Sequence, residues 1–361
     1  MESQIIIGDA LSELKRLPEK SIHCCVTSPP YWGLRDYGVD GQIGLEERPR
    51  DYIEKLVKVF SQVKRVLRDD GTLWLNLGDS YNSGTSGSRD PGRWPKQSRN
   101  DHKTKRTVFD GLKPKELVGI PWRVAFALQD DGWYLRQDII WAKPNPMPES
   151  VKDRCTKSHE YIFLLSKKPK YYFDHEAIKE PAGDKGNANS FRGGCYVNGD
   201  IDNATMGKRT VSGNTKLRVP TGWDTEKGSH GTLHKKGRSD PAYSFARKTD
   251  SEGKPGLPKQ HRENREDIHY SGMRNKRSVW TVATKPYKEA HFATFPPDLI
   301  KPCILAGCPE SGIVLDPFFG SGTVGMVAKK NGRGFIGIEL NPDYIKLAKK
   351  RINKVEYQLT F

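Results

Sequence analysis

IVLDPFFGSGTVGMVAKKNGRGFIGIE, residues 313–339, switches twice between strand and helix character, and that alternation decides the fold. Ile313-Val314-Leu315 is a short β-branched apolar run, as a buried strand requires. It runs into Asp316-Pro317-Phe318-Phe319-Gly320-Ser321-Gly322-Thr323, a turn rich in residues that break regular structure. A helix is expected from about Val324 to Lys330, then a second strand, Gly334 to Glu339. Asn341 suits a helix N-cap and Pro342 a first helical turn, so a last helix follows over Tyr344–Ile352. In such a βαβ unit the glycine turn brings backbone N–H groups close to a ligand, with Gly320 and Gly322 as surface free of side chains. Glu339, ending the next strand, is placed to accept hydrogen bonds from ribose hydroxyls. The spacing differs from G-x-G-x-x-G, and the same glycines would serve a sharp loop. Alone, the unit specifies no more than an adenosine-like ligand.

Working outward, the same alternation opens the chain. Ile5-Ile6-Ile7 is a strand ending in Gly8-Asp9, and Leu11, Leu14 and Leu17 follow at helical spacing until Pro18. His23 to Thr27 is a second buried strand, Asp51 to Leu67 an amphipathic helix, and Gly71 to Leu77 a third strand. Pro121 to Gln129 reads as helix, and Tyr134–Trp141 and Tyr161–Leu165 as strands joined by the Pro-rich stretch Lys143 to Pro148. Repeated β-α-β order predicts an α/β fold with a mostly parallel sheet covered by helices on both faces.

Two stretches break the pattern. Residues 82–115 hold nine basic against three acidic residues among Gly and Ser, the composition of a long loop, either a functional lid or a disordered stretch. Residues 176–275 hold 18 basic and 13 acidic residues, with Phe191, Tyr196, Trp223, Tyr243 and Phe245 scattered through them. A linker would carry fewer aromatics, so a small irregular module that orders on a partner is expected. The whole chain of 361 residues carries a formal charge of +16, which points to a polyanion and foremost to nucleic acid. No apolar run approaches the roughly 20 residues of a membrane span. Met1-Glu2-Ser3-Gln4 lacks the basic start of a signal peptide, so a cytoplasmic protein is expected. The six cysteines show no zinc-like spacing, and no metal is expected.

Ser28-Pro29-Pro30-Tyr31, at the end of the second strand, is the sharper chemical signal. Two prolines fix φ and remove N–H groups, leaving rigidly aimed carbonyls. An exocyclic aromatic amine is a poor nucleophile because its lone pair is delocalised into the ring. Ser28 Oγ and the Pro29 carbonyl supply two acceptors for its N–H bonds, turning the nitrogen tetrahedral and its lone pair toward an electrophilic methyl. Tyr31 offers a face for stacking on a base turned out of a duplex. The plainer reading is a Pro-Pro turn with Tyr31 in the core.

Taken together, the two motifs resemble the amino-methyltransferases of DNA in their circularly permuted, β-class arrangement, over most of the chain outside the irregular stretches. The resemblance matches Thr27 to Tyr31 with the catalytic motif and Asp316 to Gly322, followed by Thr323, with the cofactor motif. Ser278-Val279-Trp280 and His291 to Pro297 look like the segment upstream, where Phe295 and Pro296 border the methionine end of the cofactor. Gly8-Asp9-Ala10 matches the strand end near the adenine, and Glu339 the ribose acceptor. It implies S-adenosyl-L-methionine as methyl donor, a doubly wound, seven-stranded, mostly parallel Rossmann-like sheet, and base flipping. The site residues so implied are Ser28, Pro29, Pro30 and Tyr31 for catalysis. For the cofactor they are Asp9, Ala10, Phe295, Pro296, Asp316, Pro317, Phe318, Gly320, Gly322, Thr323 and Glu339.

Within that family serine before the prolines goes with N4-cytosine enzymes, and aspartate or asparagine with N6-adenine enzymes. Ser28 therefore favours cytosine, although a hydroxyl is able to hold either amine. The resemblance divides the chain into a catalytic part, 1–175, with the loop 82–115 inside it, a target-recognition region, 176–275, and a cofactor part, 276–361. Lys and Arg of the middle region suit phosphates, and its Arg, Asn, Gln and Ser suit base edges of double-stranded DNA. Arg35, Asp36 and Tyr37 are candidates for contacting the space a flipped base leaves. The resemblance allows a cognate restriction endonuclease in the same system, with no direct contact implied, and the sequence does not decide whether one exists. Methyltransferases of RNA or protein amides carry Asn before the prolines and the cofactor loop first, and neither feature is present here. An inactive DNA-binding protein would not need Ser28, Tyr31, Gly320, Gly322 and Glu339 intact. A dehydrogenase would leave the Pro-Pro-Tyr turn without a role.

Overall fold

The computed structural model describes residues 3–34, 36–82, 111–181, 273–284 and 295–355, in two compact units. The larger unit comprises Met1–Lys179 and Asn275–Phe361, the smaller Glu180–Arg274. In chain order the elements are β1 (Ser3–Ile7), α1 (Ala10–Arg16), β2 (Ile22–Thr27), α2 (Pro49–Val66), β3 (Leu67–Leu77) and α3 (Ile120–Asp130). Next come β4 (Tyr134–Ala142), β5 (His159–Ser166), β6 (Glu180–Pro181), β7 (Met273–Arg274) and β8 (Val279–Thr281). The last are α4 (Pro297–Gly307), β9 (Ile313–Asp316), α5 (Thr323–Lys330), β10 (Gly334–Glu339) and α6 (Pro342–Asn353).

Eight strands of the larger unit form one sheet in the order β1-β10-β9-β2-β3-β5-β4-β8. The first five run parallel, β5 is antiparallel to both its neighbours, and β8 lies parallel to β4. Seven of these make the expected doubly wound sheet. The eighth, β8, is a three-residue edge strand in the Ser278–Trp280 segment, paired with Ile140, Trp141 and Ala142. It is too short to show a period of its own. β2 is apolar almost throughout because helices cover both of its faces. On one face it packs with α1, α2 and α3 through Leu14, Leu56, Phe60, Val63 and Val124. On the other it packs with α4, α5 and α6 through Leu299, Ile304, Val324, Val327 and Ile352.

α4 has no counterpart among the expected helices, because Pro297 at its start and Pro302 inside it punctuate the apolar pattern. Among the described residues of the smaller unit, β6 and β7 pair antiparallel, with Arg274 Nε donating to Glu180 Oε1 at 3.0 Å. Arg35, most of 82–115, most of 176–275 and His291 to Thr294 lie outside the described residues. No described helix is long and apolar enough to cross a membrane.

Between β9 and β2 the winding reverses. β2 leads through α2 to β3 on one side, and β9 leads through α5 to β10 on the other. Ligands bind such sheets in the crevice outside the carboxyl ends at this switch point. The loop after β9 is held by Phe319, whose ring stacks on Phe335 at 5.7 Å and fills the space over two glycines. A Cβ at Gly337 would lie 2.3 Å from the Phe319 ring, and one at Gly325 2.6 Å from it. Gly337→Ala is therefore expected to destabilise the protein by about 1–3 kcal/mol through overpacking, read as a lower denaturant midpoint at unchanged m-value.

Candidate active site

β2 and β9 end side by side, and a buried hydrogen bond clasps them: Thr27 Oγ1 donates to Asp316 Oδ1 at 2.6 Å. The backbone N–H of Phe318 donates to the same oxygen at 3.0 Å, which fixes the turn after β9. Burial pushes the Asp316 carboxyl up to about 7, against the two donors that favour its charged form. At the C-terminal end of β10, Glu339 accepts from Gly320 N through Oε2 at 2.7 Å and from Asn341 N through Oε1 at 2.8 Å. Each oxygen keeps acceptor capacity toward a ligand. Burial raises the Glu339 carboxyl, and these backbone donors oppose the rise.

The two glycines differ in their work. Gly320 has φ +50°, and a Cβ there would meet nothing nearer than Phe318 O at 4.0 Å, so a side chain would stand in the cleft. Gly322 caps α5 at φ +76° and does not line the cleft; a Cβ there would strike Ala348 Cβ of α6 at 2.8 Å. Its absence of a side chain serves helix packing. Thr323 Oγ1 accepts from Arg351 Nη1 at 2.8 Å. Asp9 caps α1, accepting from Ser12 N at 2.9 Å, and Ala10 begins that helix.

A cleft of about 880 Å³ opens on this end of the sheet. Asp9, Ala10, Ser28, Pro29, Pro30, Tyr31, Tyr37, Phe295, Pro317, Phe318, Gly320, Thr323 and Glu339 all line it. Asp316 and Pro296 lie buried behind the lining, Pro296 as the residue before α4. The donor set fits S-adenosyl-L-methionine: an open glycine turn, a carboxylate at the end of β10, and aromatic and proline rings between them. The Pro30 carbonyl accepts from Tyr52 Oη at 2.9 Å, which anchors the Pro-Pro turn to α2. Asp36 accepts from Gly38 N at 2.8 Å and shapes a turn outside the lining, while Tyr37 meets Tyr344 edge-on at 6.4 Å.

The Tyr31 ring lies against Gly78, where a Cβ would come within 2.6 Å of it. Its hydroxyl sits 2.7 Å from Glu160 Oε2, 3.1 Å from Asn76 Oδ1 and 3.4 Å from Ser28 Oγ. Burial and the Glu160 carboxylate raise the Tyr31 phenol well above its usual range, so it stays protonated at neutral pH. Asn76 is held by Tyr161 O at 3.0 Å, and Lys143 forms an ion pair with Glu160 while lying 4.3 Å over the Trp141 ring. Lys157 Nζ donates to Asp79 O at 2.9 Å, and burial lowers its ammonium. Sequence reading did not find Asn76, Lys143, Lys157 or Glu160. Asn76 carried a signal, as the one polar residue in the buried run Leu73 to Leu77.

The Asp316 carboxyl gives a pH prediction. An unfolded Asp titrates near 3.9, so between about 4 and about 7 the folded state binds more protons at this site than the unfolded state. Its contribution to stability is complete below about 4, falls as pH rises and is lost above about 7. Asp316→Asn is expected to flatten this part of the stability-versus-pH curve in urea unfolding followed from pH 5 to 8. An unchanged curve would mean that Asp316 titrates in the ordinary range.

Comparison with known proteins follows the same lines. Residues 22–350 match the N6/N4 family described as DNA methylase. The Type II methyltransferase M.Cfr9I of Citrobacter freundii is 45% identical over 345 residues, spanning 96% of this chain and 86% of that protein. M.SmaI of Serratia marcescens, also a Type II methyltransferase, is 43% identical, spanning 97% and 90%. Among solved structures, the cytosine-N4-specific PvuII DNA methyltransferase has a TM-score of 0.55 at 17% identity, covering 99% of this chain and 89% of its own. A DNA modification methylase of Thermus thermophilus, solved with S-adenosyl-L-methionine, has a TM-score of 0.51 at 20% identity, covering 98% and 93%. These two show the fold. With a family match over nearly the whole length and close relatives spanning most of both chains, the protein belongs to the N6/N4 DNA methylases, enzymes that use S-adenosyl-L-methionine.

Proposed function

We propose that this enzyme transfers a methyl group to the exocyclic N4 of cytosine at a specific site in double-stranded DNA, after rotating the base out of the helix. The observation that carries the reading is Ser28: a neutral hydroxyl, not a carboxyl group, stands in the cleft directly after β2. In the family this residue type accompanies N4-cytosine enzymes. Once bound, S-adenosyl-L-methionine supplies a methyl group made electrophilic by its sulfonium.

The chain's own residues do the rest. Glu339 takes ribose hydroxyls, and the turn Pro317 to Gly320 closes against the cofactor with Phe295 at its methionine end. Asp9 and Ala10 border the adenine, and Thr323 anchors the start of α5. Gly322, Asp316 and Pro296 act from behind, by holding the loop and the strand ends. Ser28 Oγ and the Pro29 carbonyl hold the two amine N–H bonds, so the nitrogen lone pair points along the line of transfer. Tyr31, braced on Gly78, presents a ring against the flipped base. Positioning of this kind is the main source of rate in a displacement that needs no covalent intermediate.

Recognition of the sequence falls to residues 176–275, and residues 82–115 with Arg35, Asp36 and Tyr37 contact DNA near the opened base pair. Residues 1–175 and 276–361 form the catalytic and cofactor parts. The Type II relatives support a place in a restriction–modification pair, in which a nuclease cuts the same unmodified site inside the cell. The excess of 60 Lys and Arg over 44 Asp and Glu supplies the salt-dependent part of DNA affinity.

The test is product analysis: unmethylated genomic DNA, labelled cofactor, digestion to nucleosides and mass identification. N4-methylcytosine is expected; N6-methyladenine would overturn the base assignment, and transfer to RNA or protein alone would overturn the substrate. Ser28→Ala is expected to cut single-turnover methylation about 100-fold or more while cofactor affinity, read by calorimetry, stays near wild type. Deletion of residues 190–267 is expected to abolish site-selective DNA binding while cofactor binding survives.

A further inference from the structure

Transfer to an amine leaves a proton to dispose of, and Ser28 cannot keep it. A serine hydroxyl that has taken a proton is a strong acid, so the proton has to move on at once. Here the first acceptor is neutral and a carboxylate stands two hydrogen bonds away.

The geometry points to a proton relay from the substrate amine through Ser28 and Tyr31 to Glu160, with Glu160 as the terminal acceptor of the reaction. Ser28 Oγ donates to Tyr31 Oη at 3.4 Å, and Tyr31 Oη donates to Glu160 Oε2 at 2.7 Å. Both hydroxyl protons therefore point the same way, and the lone pairs of Ser28 Oγ are left to face the cleft. The first link is long, as hydrogen bonds in ligand-free sites commonly are before substrate closes them.

As the N–CH3 bond forms and the S–CH3 bond breaks, the amine nitrogen becomes cationic. One N–H bond then breaks, its electron pair returning to nitrogen. Its proton passes to Ser28 Oγ, the Ser28 proton to Tyr31 Oη, and the Tyr31 proton to Glu160 Oε2. The positive charge lost from the sulfonium thus reappears as a proton on Glu160. No alkoxide or phenolate is formed, which suits a phenol that burial keeps protonated. An amine made cationic at the exocyclic nitrogen of a base has lost its conjugation with an electron-poor ring and is a stronger acid than a carboxylic acid, so the transfer runs downhill. Glu160 lines the cleft and loses the proton to water when product leaves.

Several described groups surround Glu160. Lys143 pairs with it from the end of β4, Lys157 lies nearby with its head on Asp79 O, and Tyr31 approaches from the turn after β2. From β3, Asn76 steadies the same oxygen through Nδ2 at 3.4 Å. His159, the residue before Glu160, turns to Tyr161 Oη at 3.4 Å. Glu160 and Lys143 are positioning residues, acting on the amine through Tyr31 and Ser28.

The inference rests on the amine-methylation reading of the site, and its test separates the two. Single-turnover rates at neutral pH are measured for the wild type, Tyr31→Phe, Glu160→Gln, Glu160→Asp and the double variant Tyr31→Phe with Glu160→Gln, together with Kd for cofactor and for DNA. The relay predicts that Tyr31→Phe and Glu160→Gln each slow transfer by about 10²-fold or more, with both Kd values within about threefold of wild type. It predicts that the double variant is no slower than the slower single one, since the two residues act as a unit. Glu160→Asp, which keeps a carboxylate, should be faster than Glu160→Gln by about tenfold or more. Multiplicative losses in the double variant, or a Glu160→Asp rate no better than that of Glu160→Gln, would overturn the relay. Should Glu160→Gln fold poorly through its unpaired Lys143, Tyr31→Phe with Glu160→Asp decides: the relay requires Phe to slow transfer at unchanged Kd and Asp to retain more of the rate than Phe. If the wild-type product is N6-methyladenine, the cytosine assignment fails while the relay, which serves any exocyclic amine, is still judged by these rates.

Discussion

The hydrogen bond between the Thr27 hydroxyl and the buried Asp316 carboxyl is the constraint on which the site depends. It joins residues 289 positions apart and ties the strand that delivers Ser28 to the strand that opens the glycine turn. The distance between Ser28 and the glycine turn is therefore set by a contact inside the core rather than by surface loops. Geometry of this kind matters because misplacing reacting atoms by about 1 Å costs on the order of 100-fold in rate. Phe319 secures the other side of the same turn, wedged over Gly325 and Gly337, so neither half of the site shifts independently of the sheet.

Charge is divided between two length scales. The chain as a whole is strongly positive, a field that draws in a polyanion from a distance. The cleft is lined by carboxyl groups at both ends, Glu339 beside the cofactor loop and Glu160 beside Tyr31, with Asp316 buried behind the lining. A cationic methyl donor therefore meets acceptors locally within a surface that attracts DNA globally. Lys143 keeps Glu160 paired, and the Trp141 ring beneath the ammonium holds the lysine in place.

Much of this is legible in the residues. Apolar runs mark the parallel strands, Asn341-Pro342 marks the start of the last helix, and the Ser-Pro-Pro-Tyr turn and the Gly320 loop mark two walls of the cleft. What escapes reading depends on sheet register, which no local pattern encodes. Asn76 meets Glu160 because β3 pairs antiparallel with β5, setting Asn76 opposite Ile162 and Leu77 opposite Tyr161. Lys143 joins them because β4 pairs with the other edge of β5, setting Ala142 opposite His159. Gly322 reads as ligand surface in sequence, yet its missing side chain makes room for Ala348, a contact between α5 and a helix that follows it. α4 is hidden by its own prolines, and β8 by its length.

The pairing of Glu180 with Arg274 and Pro181 with Met273 has a consequence for how much the chain between them is able to vary in length. The two ends of a 95-residue unit are tied together as neighbouring rungs of a ladder. The chain between them is closed on itself, and lengthening a closed loop costs free energy only logarithmically. Residues are therefore added to or taken from that stretch at small cost, without moving the two rungs that close it.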